Sequence, residues 1–121
     1  MFWMVPRLLV AVGVVAAVVT TTGCAADKAE ACQNIDQEIQ ALFRTAPRQA
    51  HDKPVLARTL HAAAGKIRAE GGPVGGDVEE ASENAAVALD HVAGRVIKGE
   101  AQKSDLELLL DAGTRLNQVC R

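Results

Sequence analysis

Apolar residues recur three and four positions apart in four separate segments of this chain, and this spacing is the strongest constraint on its fold. An α-helix repeats about every 3.6 residues, so each segment predicts an amphipathic helix with one apolar stripe. No segment shows the alternation of apolar and polar residues that is typical of a strand. The predicted stripes are Cys32, Ile35, Ile39, Leu42 and Phe43; Leu56, Leu60, Ala63 and Ile67; Val78, Ala81, Ala85, Ala88 or Leu89, Val92 and Val96; and Leu106, Leu109, Leu110, Gly113, Leu116 and Cys120.

Capping and helix-breaking residues predict where these helices begin and end. A short acceptor side chain followed three positions later by Glu is typical of a capping box, and Gly or Pro commonly follows the last helical turn. The predicted starts are Asp27 with Glu30, Asp52 with Pro54 in the first turn, Asp77 with Glu80, and Ser104 with Glu107. The predicted ends are Pro47, Gly71-Gly72-Pro73 and Lys98-Gly99.

Four helices joined by short connections predict an all-α fold, a small up-down-up-down four-helix bundle. We assign this domain to residues 27–121, since the 98 residues from Cys24 onward suffice for one domain and not for two. A three-helix bundle, in which the second segment is frayed, is the alternative.

The first 23 residues have the composition of an export signal. Arg7 precedes an apolar run from Leu8 to Val19, which is 12 residues long. As a helix this run would span about 18 Å, short of the roughly 30 Å hydrocarbon core of a membrane. We therefore interpret residues 1–23 as a signal peptide that is removed on export, with an uncleaved anchor as the alternative.

The residues that end this segment, Thr21-Thr22-Gly23-Cys24, resemble the lipobox of bacterial prolipoproteins. The resemblance implies cleavage before Cys24 and attachment of a diacylglyceryl group, with fatty acids such as palmitate, to its thiol. Residues 24–26 would then form a lipidated tether, and two acyl chains give lasting attachment to the outer face of the cell membrane. The alternative is cleavage after Ala26 and free secretion.

Cys32 and Cys120 are expected to form a disulfide bond. The chain has three cysteines, and two remain if Cys24 carries lipid. An exported chain meets an oxidising environment, in which such a pair is expected to be bridged. In an up-down-up-down bundle the start of the first helix and the end of the fourth lie at the same end, which is the geometry that this bridge requires.

The remaining polar residues indicate no catalytic or metal site. His51, His61 and His91 lack the spacing of zinc ligands, and the two serines of the mature chain, Ser82 and Ser104, lie outside any nucleophile motif. Without Arg7 the formal net charge is −3, and Phe43 is the sole aromatic residue of the mature chain. These features predict a non-enzymatic protein without a cofactor, and they argue against nucleic acid as a partner.

Arg44, Arg48 and Lys53 predict a basic surface at the end of the bundle that faces away from the membrane. We therefore expect an envelope lipoprotein that serves as a binding or structural module, with another envelope protein or an anionic wall polymer as its partner. The alternative is a freely secreted helical factor that inhibits an enzyme or binds a small apolar ligand in a cleft between the second and third helices.

Overall fold

The computed structural model describes the backbone of residues 23–121 and the side chains from Lys28 onward. Within this range the chain forms four α-helices and two short 3-10 turns, at Ala46–Gln49 and Gly72–Val74, and no strand. The helices are α1 (Gly23–Thr45), α2 (Lys53–Gly71), α3 (Gly76–Lys98) and α4 (Lys103–Val119). The predicted all-α four-helix bundle is confirmed. The three-helix alternative is wrong, because the second segment is a complete helix.

Each helix packs mainly on its neighbours in the chain, which gives the up-down-up-down order. The central pair, α2 and α3, has the most extensive contact, and small side chains allow their backbones to approach closely. The buried alanines of this pair are Ala57, Ala63, Ala64, Ala81, Ala85, Ala86, Ala88 and Ala93. The larger side chains of the core include Ile35, Leu60, Ile67, Leu89 and Leu116.

The closest approach in this pair lies where α2 ends. Gly71 is buried against Ser82 of α3, so that a Cβ atom on Gly71 would be 1.9 Å from Ser82 Oγ. Only glycine fits at this contact, and the predicted end of the second helix at Gly71-Gly72-Pro73 is confirmed. The Gly71–Ser82 contact therefore sets how closely the end of α2 approaches α3.

The predicted helix ends are correct, whereas only one of the predicted caps is. Asp52 caps α2 as expected, since its Oδ1 accepts a hydrogen bond from Val55 N at 3.3 Å. Gly99 ends α3 in the left-handed region at φ 73° and donates to the carbonyl of Val96. Pro47 lies in the 3-10 turn directly after α1.

The three predicted capping boxes are wrong. Helix α1 already includes Gly23, the first described residue, so Asp27 lies inside the helix and the residues predicted to form the tether, 24–26, are helical. Asp77 lies within the first turn of α3, because Gly75, at φ 77°, already forms the cap. In α4 the cap precedes Ser104: the backbone N–H of Gln102 donates to Asp105 Oδ2 at 2.7 Å.

Helix α4 is the least buried of the four. Asp105 and Leu116 are its only fully buried residues, while Leu106 and Leu110 are about half exposed, against the prediction for both. The reason is that α4 packs along α3 and has no comparably extended contact with α1 in the described chain. One flank of the apolar stripe therefore has no neighbouring helix.

The predicted disulfide bond between Cys32 and Cys120 is present, with its Cα atoms 5.8 Å apart. It joins α1 to the residue that follows α4. The predicted signal peptide lies outside the described residues except for Gly23, as do Thr21 and Thr22 of the lipobox. No helix in residues 23–121 has the combined length and apolarity that a membrane crossing requires.

Candidate functional site: an apolar groove between α1 and α4

A groove of about 320 Å³ lies between α1 and α4, where the two helices diverge from the disulfide bond. Cys32 and Cys120 line one end of it. Phe43 of α1 and Leu110 of α4 line the other end and are 52% and 48% exposed. The two walls are aliphatic, contributed mainly by Ile35, Ile39, Leu42, Leu109 and Leu116.

The floor of the groove comes from the central pair of helices. Ile67 of α2 and Ala85 and Leu89 of α3 reach the space between the walls. Gly113, in the middle of α4, widens the groove further, because a Cβ atom there would meet no atom within 4 Å. Asp36 is the one charged residue of the lining within the described chain. This apolar groove lies between the first and fourth helices and not between the second and third, whose buried alanines belong to an extensive contact.

The three basic residues predicted from the sequence do not line this groove, but they lie at the end of the bundle away from the disulfide bond. Arg44 follows Phe43 directly in α1, Arg48 lies in the 3-10 turn after it, and Lys53 begins α2. Lys53 Nζ lies beside Gly99, since a Cβ atom placed on Gly99 would be 3.2 Å from this nitrogen. The α1–α2 and α3–α4 connections therefore lie at the same end of the bundle, as predicted. All three are exposed, and none takes part in an ion pair among the described residues.

A separate polar cluster connects α2 and α3. Arg68 donates from Nε to Glu83 Oε1 at 3.0 Å and from Nη1 to Asp90 Oδ2 at 2.9 Å. His61 Nδ1 lies 2.7 Å from the other oxygen of Asp90. Burial raises the pKa of Asp90, but the hydrogen bonds from His61 and Arg68 outweigh it and hold that pKa below its ordinary value.

This cluster was not predicted from the sequence, and the partner of His61 in it is Asp90 of α3. The spacing of these residues could have indicated the cluster. His61 and Arg68 are seven residues apart, as are Glu83 and Asp90. Seven residues are about two helical turns, so each pair lies on one face of its helix. Within residues 23–121 no three histidine, cysteine or carboxylate side chains form a group that could hold a metal ion.

A second ion pair holds the start of α4. Arg95 Nε donates to Asp105 Oδ2 at 2.9 Å, and Arg95 Nη2 donates to the carbonyl of Glu100 at 2.7 Å. The hydrogen bond from Arg95, with that from the backbone of Gln102, lowers the pKa of Asp105, although burial opposes the shift. This carboxylate explains why the cap of α4 differs from the predicted one at Ser104.

Comparison with known proteins adds no family. The chain matches no protein-family model, no curated protein and no solved structure.

Proposed function

We propose that this protein is an exported, membrane-anchored lipoprotein of the bacterial cell envelope whose helical bundle is a non-enzymatic binding module. The observation that carries the proposal is the disulfide bond between Cys32 and Cys120. Such bonds persist in oxidising compartments outside the cytoplasm. The resemblance of Thr21-Thr22-Gly23-Cys24 to a lipobox supplies the anchor.

The position of the bridge supports a bundle that stands close to the membrane. Cys24 precedes Cys32 by eight residues in the same helix, which corresponds to about 12 Å. The bridged end of the bundle would then lie nearest the lipid. The end with Arg44, Arg48 and Lys53 would face outward, toward an envelope protein or an anionic wall polymer.

Binding fits the described side chains better than catalysis. The hydroxyl of Ser82 is buried at the Gly71 contact, and His61 and Asp90 are engaged in the ion-pair cluster. No nucleophile, base and oxyanion site converge in the groove, whose lining is mainly aliphatic. An apolar groove with few polar groups is typical of a ligand site.

The anchor is tested by feeding the native host a clickable palmitate analogue and measuring the intact mass of the purified protein. We expect label and a mass that begins at lipidated Cys24, with partition into the detergent phase. Cys24→Ser should remove the label, while Cys32→Ser/Cys120→Ser should keep it. An unlabelled protein that begins at Asp27 would contradict the anchor.

That contrary outcome would support the second candidate, a freely secreted helical factor. The observation that favours it is again the groove, which suits a small apolar ligand without requiring an anchor. Inhibition of an enzyme has no specific observation in its favour.

Binding of an anionic wall polymer is tested separately, by reversing the charges of Arg44, Arg48 and Lys53 to Glu. Unchanged binding after the reversal would exclude that partner.

A further inference from the structure

We infer that the α1–α4 groove binds the acyl chain of a single-chain anionic amphiphile, with the headgroup beside Arg44 and Arg48. The chemistry in question is one long aliphatic chain that ends in a carboxylate or a phosphate. The inference rests on the proposed role of the bundle as a binding module, and it does not depend on lipid at Cys24.

The size of the groove favours a chain over a partner helix. A single turn of α-helix, about 10 Å across and 5.4 Å long, occupies on the order of 400 Å³. The groove offers about 320 Å³, which is within the range of small-ligand sites. A partner helix could place only side chains in it, whereas an aliphatic chain fits along its length.

The lining also favours an aliphatic chain over a ring system. Leucine and isoleucine supply most of the large side chains of the walls, and the single aromatic side chain, Phe43, lies at the end away from the disulfide bond. Ala112 and Gly113 place two small residues in the α4 wall. A linear chain would contact both walls at once and remove this apolar surface from water.

Charge determines the orientation of the ligand. Asp36 lies one turn from Cys32, so its carboxylate disfavours an anionic headgroup at the bridged end. At the other end Arg44 follows Phe43 in the sequence and Arg48 lies in the next turn of chain; neither lines the groove, and both are exposed and outside the ion pairs of the described residues. Guanidinium groups pair well with carboxylate and phosphate. The bridged end would hold the methyl terminus.

The experiment titrates the oxidised protein with sodium hexadecanoate, lysophosphatidic acid and uncharged hexadecanol by native mass spectrometry and calorimetry. We expect saturable one-to-one binding of both anions. Gly113→Leu should fill the groove without a clash and weaken binding by about tenfold or more. The matched control is Gly94→Leu in α3, where a Cβ atom also meets nothing within 4 Å and which does not line the groove. It should change binding by less than about twofold.

The orientation has its own test. Arg44→Glu/Arg48→Glu should weaken hexadecanoate about tenfold and leave hexadecanol unchanged. Equal effects of Gly113→Leu and Gly94→Leu, or no saturable binding to oxidised wild type, would overturn the inference. Palmitate labelling at Cys24 is read independently, so such a result would leave the proposed anchor standing. If the wild-type protein carries no palmitate label but still binds the anionic amphiphiles, only the proposed anchor would be overturned.

Discussion

Arg95, near the end of α3, holds Asp105 in the first turn of α4, with its Nε 2.9 Å from Oδ2. The same carboxylate oxygen accepts a hydrogen bond from the backbone of Gln102. Both bonds favour the ionised form, and together they lower the pKa of Asp105 from its ordinary value of 3.8 although burial raises it. One carboxylate therefore both caps α4 and attaches it to α3.

Asp105→Asn should lower the urea midpoint at pH 7. The pKa of Asp105 is lower in the folded protein than in the unfolded chain. Its carboxylate therefore contributes its full stabilisation at pH values above the unfolded pKa and loses this contribution as the pH falls through the folded pKa. The difference in free energy of unfolding from wild type should therefore begin to shrink as the pH falls to about 4 and should vanish only below the lowered pKa of the folded state. Urea unfolding followed by circular dichroism at several pH values measures it. Asp111→Asn, exposed on the same helix, is the control, and a pH-independent difference would contradict the assignment.

Reducing the Cys32–Cys120 bond should destabilise the protein substantially. The bridge closes a loop with a sequence separation of 88 residues, for which the chain-entropy model gives about 4–5 kcal/mol. Cys32→Ser/Cys120→Ser should lower the free energy of unfolding by roughly 2–5 kcal/mol in guanidinium titrations. Hydrogen exchange should show greater loss of protection in α1 and α4 than in the alanine-packed α2–α3 pair. Uniform loss in all four helices would contradict this division.

Gly71→Ala should destabilise the fold by about 1–3 kcal/mol. The added Cβ would lie 1.9 Å from Ser82 Oγ and 2.4 Å from Ser82 Cβ, and the backbone of α2 or α3 would have to move. Gly65→Ala is the matched control in the same helix, because its Cβ meets nothing within 4 Å. There the higher helix propensity of alanine should stabilise by up to about 1 kcal/mol. Thermal unfolding of the two variants should shift in opposite directions, and Ser82→Gly should rescue Gly71→Ala.

Arg68→Gln should raise the pKa of Asp90. The substitution removes a hydrogen bond and a nearby positive charge that both lower this pKa, while the contribution of burial, which raises it, remains. Titration of the Asp90 carboxyl carbon by NMR measures the shift. Arg115→Gln, which alters the more distant pair with Glu80, should leave Asp90 unchanged. An unchanged pKa in Arg68→Gln would show that His61 alone sustains the shift.

The helices and the disulfide bond were predictable from the sequence because each depends on a strong local or covalent rule. Apolar spacing identified the buried faces of α2 and α3, since both helices have neighbours on that side. Pro47 marked a helix end because it lacks a backbone N–H donor, and Gly99 did so because glycine adopts the left-handed conformation of a helix end at low cost.

The groove was not predictable from the same pattern. Leu110 belongs to the apolar stripe of α4, yet it is exposed, because periodicity shows which face is apolar and not whether another helix covers it. Asp105 was missed as a cap because Ser104 and Glu107 offer the same three-residue spacing two positions later, whereas its ion pair with Arg95 depends on packing. The pair His61–Asp90 likewise depends on the rotation of α2 against α3.

The position of the bridge has a mechanical consequence. A pull between residues 23 and 121 would travel through the first ten residues of α1, across the sulfur–sulfur bond, and out through Arg121. Residues 33–119 would carry none of that tension until the bond is cleaved. A protein held at one end of its chain would in this way keep the shape of the groove under load.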